Sequence, residues 1–486
     1  MNRRKIIIFL FVIVCAILGC SCMVNAGEEQ KVYYVSSSLG DDENDGSENR
    51  PFKTIACPKI PREGVTIKLK CGDYFYENVV LKGNNMTSYG EGPKPVVCGW
   101  KYLPKSKALW SEGMLKDGKW IKKKGTCVWR LDMTQDGFWG RTSVQEKYIN
   151  NVGLIMDVEN NIMHGHKCEF LYKYECNDPN IHAQRNTYLQ KNFDFAQTSH
   201  YGKGKIKESD YNYLYMYLDH DPSIYNLKFS TYGFGINTKD ATITNIRVEG
   251  FSAHGFTCGS NVTISQCEVD YVGGGQQTTY LRWARYGNGI EFYISKKSEN
   301  SHVFNNKISH TFDCATTIQG EGRIGAYPSN IIIENNLIIN CRQAFEYFLN
   351  NYDKEKNINY DCEKCYFRNN ICINSGENGF DSPEMRDTHI LSYQRRYTSS
   401  MIIENNVFIG GKGFYTSSNP DLLKFGGNEC YYTEPFVFWT SGKKEEEEKN
   451  KNQRKSSLKK GDMHFKEVEF KKLRHDQLDQ MIQSYK

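Results

Sequence analysis

Proline is scarce in this chain, twelve among 486 residues, so composition raises no obstacle to long uninterrupted strand ladders. The apolar run at residues 6–18 counts only thirteen, too short to span a bilayer comfortably. A basic surface is also missing. The net charge of +5 comes from residues 1–26 and 443–460, while residues 461–486 balance and the body between is slightly acidic. A nucleic-acid partner is therefore unsupported. Seventeen cysteines form no compact disulfide framework: three sit in the leader, and Cys258, Cys314, Cys341 and Cys372 fall at strand positions as buried free thiols. Cys362-Glu363-Lys364-Cys365 has zinc-like spacing with no second pair nearby, so packing or a local disulfide is the better reading. No His-x-x-x-His pair is present, and the acidic run at 41–45 lacks the spacing and closing Glu of an EF-hand. That run is a solvated turn or a calcium loop, and no metal site is assigned.

What is present begins with an export signal. Arg3, Arg4 and Lys5 precede the apolar run. Two endings compete: Val24-Asn25-Ala26 offers ordinary cleavage, and Ile17-Leu18-Gly19-Cys20 resembles a bacterial lipobox whose cysteine would carry a lipid anchor. Either one places the protein outside the cytoplasm, at the cell surface or in the periplasm.

One phrase then recurs four times, an apolar run ending in paired asparagines followed by another apolar run. The copies are Val303-Phe304-Asn305-Asn306-Lys307-Ile308, Ile333-Glu334-Asn335-Asn336-Leu337-Ile338, Phe367-Arg368-Asn369-Asn370-Ile371-Cys372 and Ile403-Glu404-Asn405-Asn406-Val407-Phe408. They lie 30, 34 and 36 residues apart, with degenerate versions at Ile243-Thr244-Asn245-Ile246 and Ile264-Ser265-Gln266-Cys267. Each unit is short-strand material without a helical period, so coils of parallel strands stack into a solenoid. Asparagine tolerates left-handed corners and, repeated, builds a hydrogen-bonded ladder. With 39% hydrophobic residues, forty-one glycines and such repeats, one elongated monomeric domain is expected.

The phrase resembles that of right-handed parallel β-helix proteins, the pectate-lyase-like superfamily, whose members mostly bind or cut polysaccharides. Tyr33-Tyr34-Val35-Ser36, the Gly40 to Ser47 turn and Pro51-Phe52-Lys53-Thr54-Ile55 resemble the opening of secreted β-helix glycosidases and lyases. The expected organisation is a signal at 1–26, N-terminal coils at 27–134, an irregular insertion or side layer at 135–235 and main coils at 236–442. A disordered charged linker at 443–460 and a terminal helix at 461–486 follow, the helix with Phe465, Val468, Leu473, Leu478 and Ile482 on one face.

A second strand aligns after each phrase: Gly289-Ile290-Glu291, Ala315-Thr316-Thr317, Ala344-Phe345-Glu346, Gly379-Phe380-Asp381 and Gly413-Phe414-Tyr415, preceded by Gly255-Phe256-Thr257. With the apolar members inward, alternation puts Glu291, Glu346 and Asp381 outward in one column, facing water. Coils stack at about 4.8 Å, so the separations bracket those of glycosidase carboxylate pairs. Arg282, Trp283, Arg285, Tyr286 and Asn288 lead into Glu291; Asp313 opens and Gln319 closes the Thr317 coil; Arg386 and His389 follow Asp381. Aromatic rings stack on sugars, and guanidinium groups hold acidic substituents. A Tyr-Gly-Asn-Gly-Ile-Glu segment, an Asp before a coil ending in Gln-Gly and a later Phe-Glu recur in related β-helix proteins, so the resemblance implies Glu291, Asp313 and Glu346 as catalytic, with Asp381 next. The reading is a glycoside hydrolase acting on a polysaccharide or oligosaccharide and requiring no cofactor. The alternatives are a polysaccharide lyase with Arg285, Arg386 or His389 as base, for which calcium would be more relevant, and a non-catalytic glycan-binding scaffold.

Overall fold

The computed structural model describes residues 30–105, 109–134, 149–168, 171–172, 188–197, 207–231, 233–277, 285–321, 324–350, 352–353, 355–356, 358–380, 387–392, 399–417, 422–440 and 467–485. The expected export signal at 1–26, the expected charged linker at 443–460, Cys176 and Phe465 fall outside the described residues.

Three long, wholly parallel sheets dominate the fold. The first has ten strands, from Lys31–Val35 to Lys424–Gly426; the second ten, from Tyr74–Phe75 to Val468–Lys472; the third nine, from Val79–Lys82 to Val437–Thr440. The chain visits each sheet once per coil, which makes the molecule a parallel β-helix. Its interior is one continuous core running from Tyr33 to Phe470.

The paired asparagines divide their labour. The first of each pair, Asn305, Asn335, Asn369 and Asn405, takes the left-handed corner, with φ between 54° and 56°. The second points inward and is buried. Asn306, Asn336, Asn370, Asn406 and Asn428 form a ladder in which each of the first four donates its backbone N–H and its Nδ2 to the Oδ1 of the next, at 2.9–3.0 Å. Each Nδ2 also donates to a carbonyl of the preceding coil. Polar groups that would be costly to bury are thereby satisfied within the turn.

One long excursion leaves the helix. Val79–Lys82 pairs directly with Ile236–Lys239, so the intervening chain leaves and returns without breaking register. The departure begins at Trp100, earlier than residue 135: strands Trp100–Leu103 and Trp110–Lys116 already belong to two antiparallel sheets of four and five strands. This side layer is bolted to the helix by buried polar contacts. Ser252 Oγ donates to Asn151 O at 2.5 Å and Asn151 Nδ2 donates to Gln276 O at 2.8 Å, while within the layer Lys167 Nζ holds Asn151 in place by donating to its Oδ1, to Val152 O and to Gln197 Oε1. At the junction a side chain on Gly153 would place its Cβ 2.0 Å from Gly273 O, so only glycine permits the approach.

Helix α1, His475–Gln483, covers the outer face of the second sheet, where Leu478 and Ile482 pack on Ile339, Ile373 and Ile409. Val468, expected on that helix, lies instead in the last strand, where it closes the core. Apolar residues on the outer side of those coils explain the docking, because a sheet bare there would expose a continuous apolar patch. Among the described residues no helix is long and apolar enough to cross a membrane. The thirteen described cysteines, Cys362 and Cys365 included, are free thiols, most of them buried.

Candidate active site

The carboxylates converge on the third sheet. Its central strands are β1 (Phe256–Cys258), β2 (Ile290–Tyr293), β3 (Cys314–Glu321), β4 (Gln343–Asn350) and β5 (Ile390–Ser392). Ile290 and Phe345 point into the core, so the alternate residues face outward. The outward column runs Thr257, Glu291, Thr317, Glu346, Leu391, Thr416. Glu291 and Glu346 therefore flank Thr317.

The next position departs from expectation. Leu391, not Asp381, is the partner of Glu346. Phe380 leaves the solenoid and packs edge-on against Phe312, 5.4 Å between centroids, in the apolar layer beneath the side sheets. Asp381 itself lies outside the described residues, as do Arg282, Trp283 and Arg386. Tyr415, set beside Glu291 by the sequence alignment, pairs instead with Ile390.

The column is also not open to water. Glu291 is 7% exposed and Glu346 3%. Such burial requires partners, and both have them. Glu291 Oε1 accepts from Gln319 Nε2 at 2.5 Å and Asn288 Nδ2 at 3.2 Å, and its Oε2 lies 3.4 Å from His254 Nε2. His254 Nδ1 accepts the Asn288 backbone N–H at 2.9 Å, which leaves the ring proton on Nε2, facing the carboxylate. Phe234 stacks on His254 at 5.4 Å and Tyr286 meets it edge-on at 5.3 Å. Both flanking aromatics stay partly exposed, forming a platform beside Glu291.

Asp313, half-buried at the mouth of β3, is held by Gly287 O, which accepts its N–H at 3.1 Å. Glu346 leans back along β4 toward it. One ligand atom each from Asp313, Cys314 and Glu346 lies within 4.8 Å of the others. Cys314 Sγ is 3.3 Å from Glu346 Oε2, 3.5 Å from Gln343 Oε1 and 3.8 Å from Asp313 Oδ1. Burial first, then the charges of Glu346 and Asp313, push this thiol well above its ordinary pKa, so it is a donor. Asn288 Oδ1 accepts the Cys314 N–H at 3.3 Å and links the two carboxylate centres.

Two guanidinium groups flank the Phe312 ring, Arg285 at 5.6 Å and Arg342 at 5.9 Å. Arg285 donates to Lys167 O of the side layer, and Arg342 pairs with Asp387 at 3.4 Å. His389 is placed differently from expectation. It is fully buried, its Nε2–H donating to Gly410 O at 3.0 Å and its Nδ1 accepting from Ser375 Oγ at 2.8 Å. Burial holds its pKa down to about 4, and it has no free nitrogen for a substrate. Phe234 and Gln343 belong to no motif of the sequence, and Cys314 reads there only as a buried thiol. Cys314 and Gln343 begin paired strands, a relation visible only once the coils are aligned at Thr316 and Phe345.

The architecture is thus a parallel β-helix carrying a close carboxyl pair, Glu346 buried and Asp313 half-buried, and a further, amide-clamped carboxylate on one sheet. No protein-family model matches the chain, and no curated protein matches it. Among solved structures, it is similar to a GH136 lacto-N-biosidase from Eubacterium ramulus, at 11% identity over 91% of this chain and 68% of that one, with a TM-score of 0.36. A structure titled as the complex of XylC with xylose is 11% identical over 91% of this chain and 82% of that one, with a TM-score of 0.38. A third, titled glycoside hydrolase, is 10% identical over 84% and 96%, with a TM-score of 0.28. At such values the chemistry of this chain is read from its own side chains.

Proposed function

We propose that this chain is an exported glycoside hydrolase in which Glu346 is the general acid/base and Asp313 the nucleophile. The observation that carries the reading is that one carboxyl oxygen of Asp313 and one of Glu346 lie within 4.8 Å of each other. Retaining glycosidases hold their carboxyl groups roughly 5–5.5 Å apart, whereas inverting ones leave room for water at roughly 6.5–9.5 Å. Of two carboxyl groups this close, the more buried suits the acid/base and the more solvated the nucleophile. Glu346 is the more buried and half-exposed Asp313 the more solvated. Attack by Asp313 on the anomeric carbon with proton donation from Glu346 to the leaving oxygen forms a glycosyl-enzyme. Water, deprotonated by Glu346, then releases the sugar.

Glu291 serves binding in this scheme. Two coils from Glu346, roughly 10 Å along the sheet, its fixed oxygens accept substrate hydroxyls while Phe234 and Tyr286 offer a ring a flat face. The lyase alternative is weaker, because His389, one of its bases, is spent on Ser375 and Gly410. Export rests on the basic and apolar leader, with Cys20 the point of lipid attachment if the lipobox is used. Incubation with a panel of plant, algal and host glycans, read by product mass, tests the reading. Hydrolytic products from the wild type, absent with Glu346→Gln, support it; products absorbing as 4,5-unsaturated uronates, or undiminished turnover by Glu346→Gln, overturn it.

A further inference from the structure

We propose that Asp313, Cys314, Gln343 and Glu346 together form a binding site for a zinc-class divalent cation. The site uses the same two carboxyl groups as the hydrolase reading, so a bound cation would withhold them from catalysis, and its test uses binding rather than turnover. In a tetrahedral zinc centre with Zn–S of about 2.3 Å and Zn–O of about 2.0 Å, each sulfur–oxygen edge is about 3.5 Å. The three oxygens around Cys314 Sγ lie at 3.3, 3.5 and 3.8 Å, one from each of three different residues. Thiolate, two carboxylates and an amide oxygen are a donor set that a borderline-soft cation accepts. A second observation concerns the strand position beside Glu346. Thr317, register partner of Glu346 on the outward side of the sheet, is fully buried, yet its Oγ1 has no hydrogen-bond partner. A hydroxyl left so is costly, and an ion's water beside Glu346 would satisfy it.

The other comparable cluster among the described residues, His166, Cys168 and Asp194, fits worse. There His166 Nδ1 and Asp194 Oδ1 are 2.5 Å apart, a direct hydrogen bond rather than a tetrahedral edge. The second oxygen of Asp194 is taken by the backbone N–H groups of Gln190 and Lys191. That cluster is closed on itself.

Binding transfers the Cys314 thiol proton to solvent as the metal–sulfur bond forms, so one proton leaves per cation at that ligand and affinity rises with pH. The experiment titrates Co²⁺ into the full chain after chelator treatment. The expected result is one equivalent bound with a thiolate-to-cobalt charge-transfer band that Zn²⁺ bleaches. The band is lost in Cys314→Ser and kept in Cys168→Ser, and Glu346→Gln lowers Zn²⁺ affinity by roughly 10-fold or more. Absence of the band in wild type, its survival in Cys314→Ser, or its loss in Cys168→Ser overturns the proposal. X-ray absorption on the zinc-loaded wild type decides without any variant. One sulfur near about 2.3 Å with oxygens supports the site. Imidazole scattering, or no sulfur, overturns it.

Discussion

Replacing Asn370 by alanine should destabilise the solenoid far more than replacing its neighbour Asn369 by glycine. Asn370 Nδ2 donates to Ile333 O and Asn406 Oδ1, and its Oδ1 accepts from both the backbone N–H and the Nδ2 of Asn336, all at 3.0–3.1 Å. At roughly 1 kcal/mol net for each bond, alanine forfeits about 4 kcal/mol, and the orphaned Asn336 N–H adds to this. That is a large part of the roughly 5–15 kcal/mol that holds a domain together. Asn369 is exposed and sits at φ 54°, a conformation glycine adopts without strain, so Asn369→Gly should change stability by less than about 1 kcal/mol. Urea unfolding followed by far-ultraviolet circular dichroism measures both. Equal losses from the two variants, or a loss under about 1 kcal/mol for Asn370→Ala, would refute the ladder as the source of corner stability.

Further expectations concern the site, the interior and the tail. Asp313→Asn should reduce turnover by orders of magnitude while the unfolding midpoint stays within a few degrees of wild type; a midpoint collapse would mark Asp313 as structural instead. His389 titrates near 4 when folded against 6.5 for the ordinary group, so the unfolded chain binds its proton more tightly. Its contribution is complete above pH 6.5 and is lost as pH falls toward 4, by about 3 kcal/mol at 1.36 kcal/mol per pH unit. His389→Gln should flatten that limb of a stability-versus-pH curve, and an unchanged limb would contradict the assignment. Leu478→Ala should cost about 2 kcal/mol or more and raise hydrogen exchange at Ile373 and Ile409, which α1 covers; unaltered exchange would show that the helix does not protect that face.

The repeat was legible because each asparagine pair does two separable jobs, one per member, and both constrain residue type. Where one job passes to another residue the phrase blurs. Gly427 takes the left-handed corner at φ 61° and leaves Asn428 alone to end the ladder. At the other end Gln266 takes the corner, and Cys267, which follows it, donates its N–H to Asn306 without extending the ladder. The order Glu291, Thr317, Glu346 followed from alternation alone. Asp381 did not, since Gly379-Phe380 copies the start of a strand but belongs to a loop whose aromatic ring serves the side layer. Burial of the column was also beyond reach: His254, which meets Glu291, and Phe234, which stacks on His254, come from earlier coils and share no pattern with the repeated phrase. The approach of Cys314 to Glu346 depends on a long side chain leaning back along its strand, which spacing does not encode.

The most direct test of the hydrolase account is proton NMR of the first sugar released from a hydrolysed substrate, recorded before mutarotation. An Asp313–Glu346 pair this close predicts that the product appears with the anomeric configuration of the substrate. Release of the opposite anomer would place the attacking water between more distant carboxylates and contradict it.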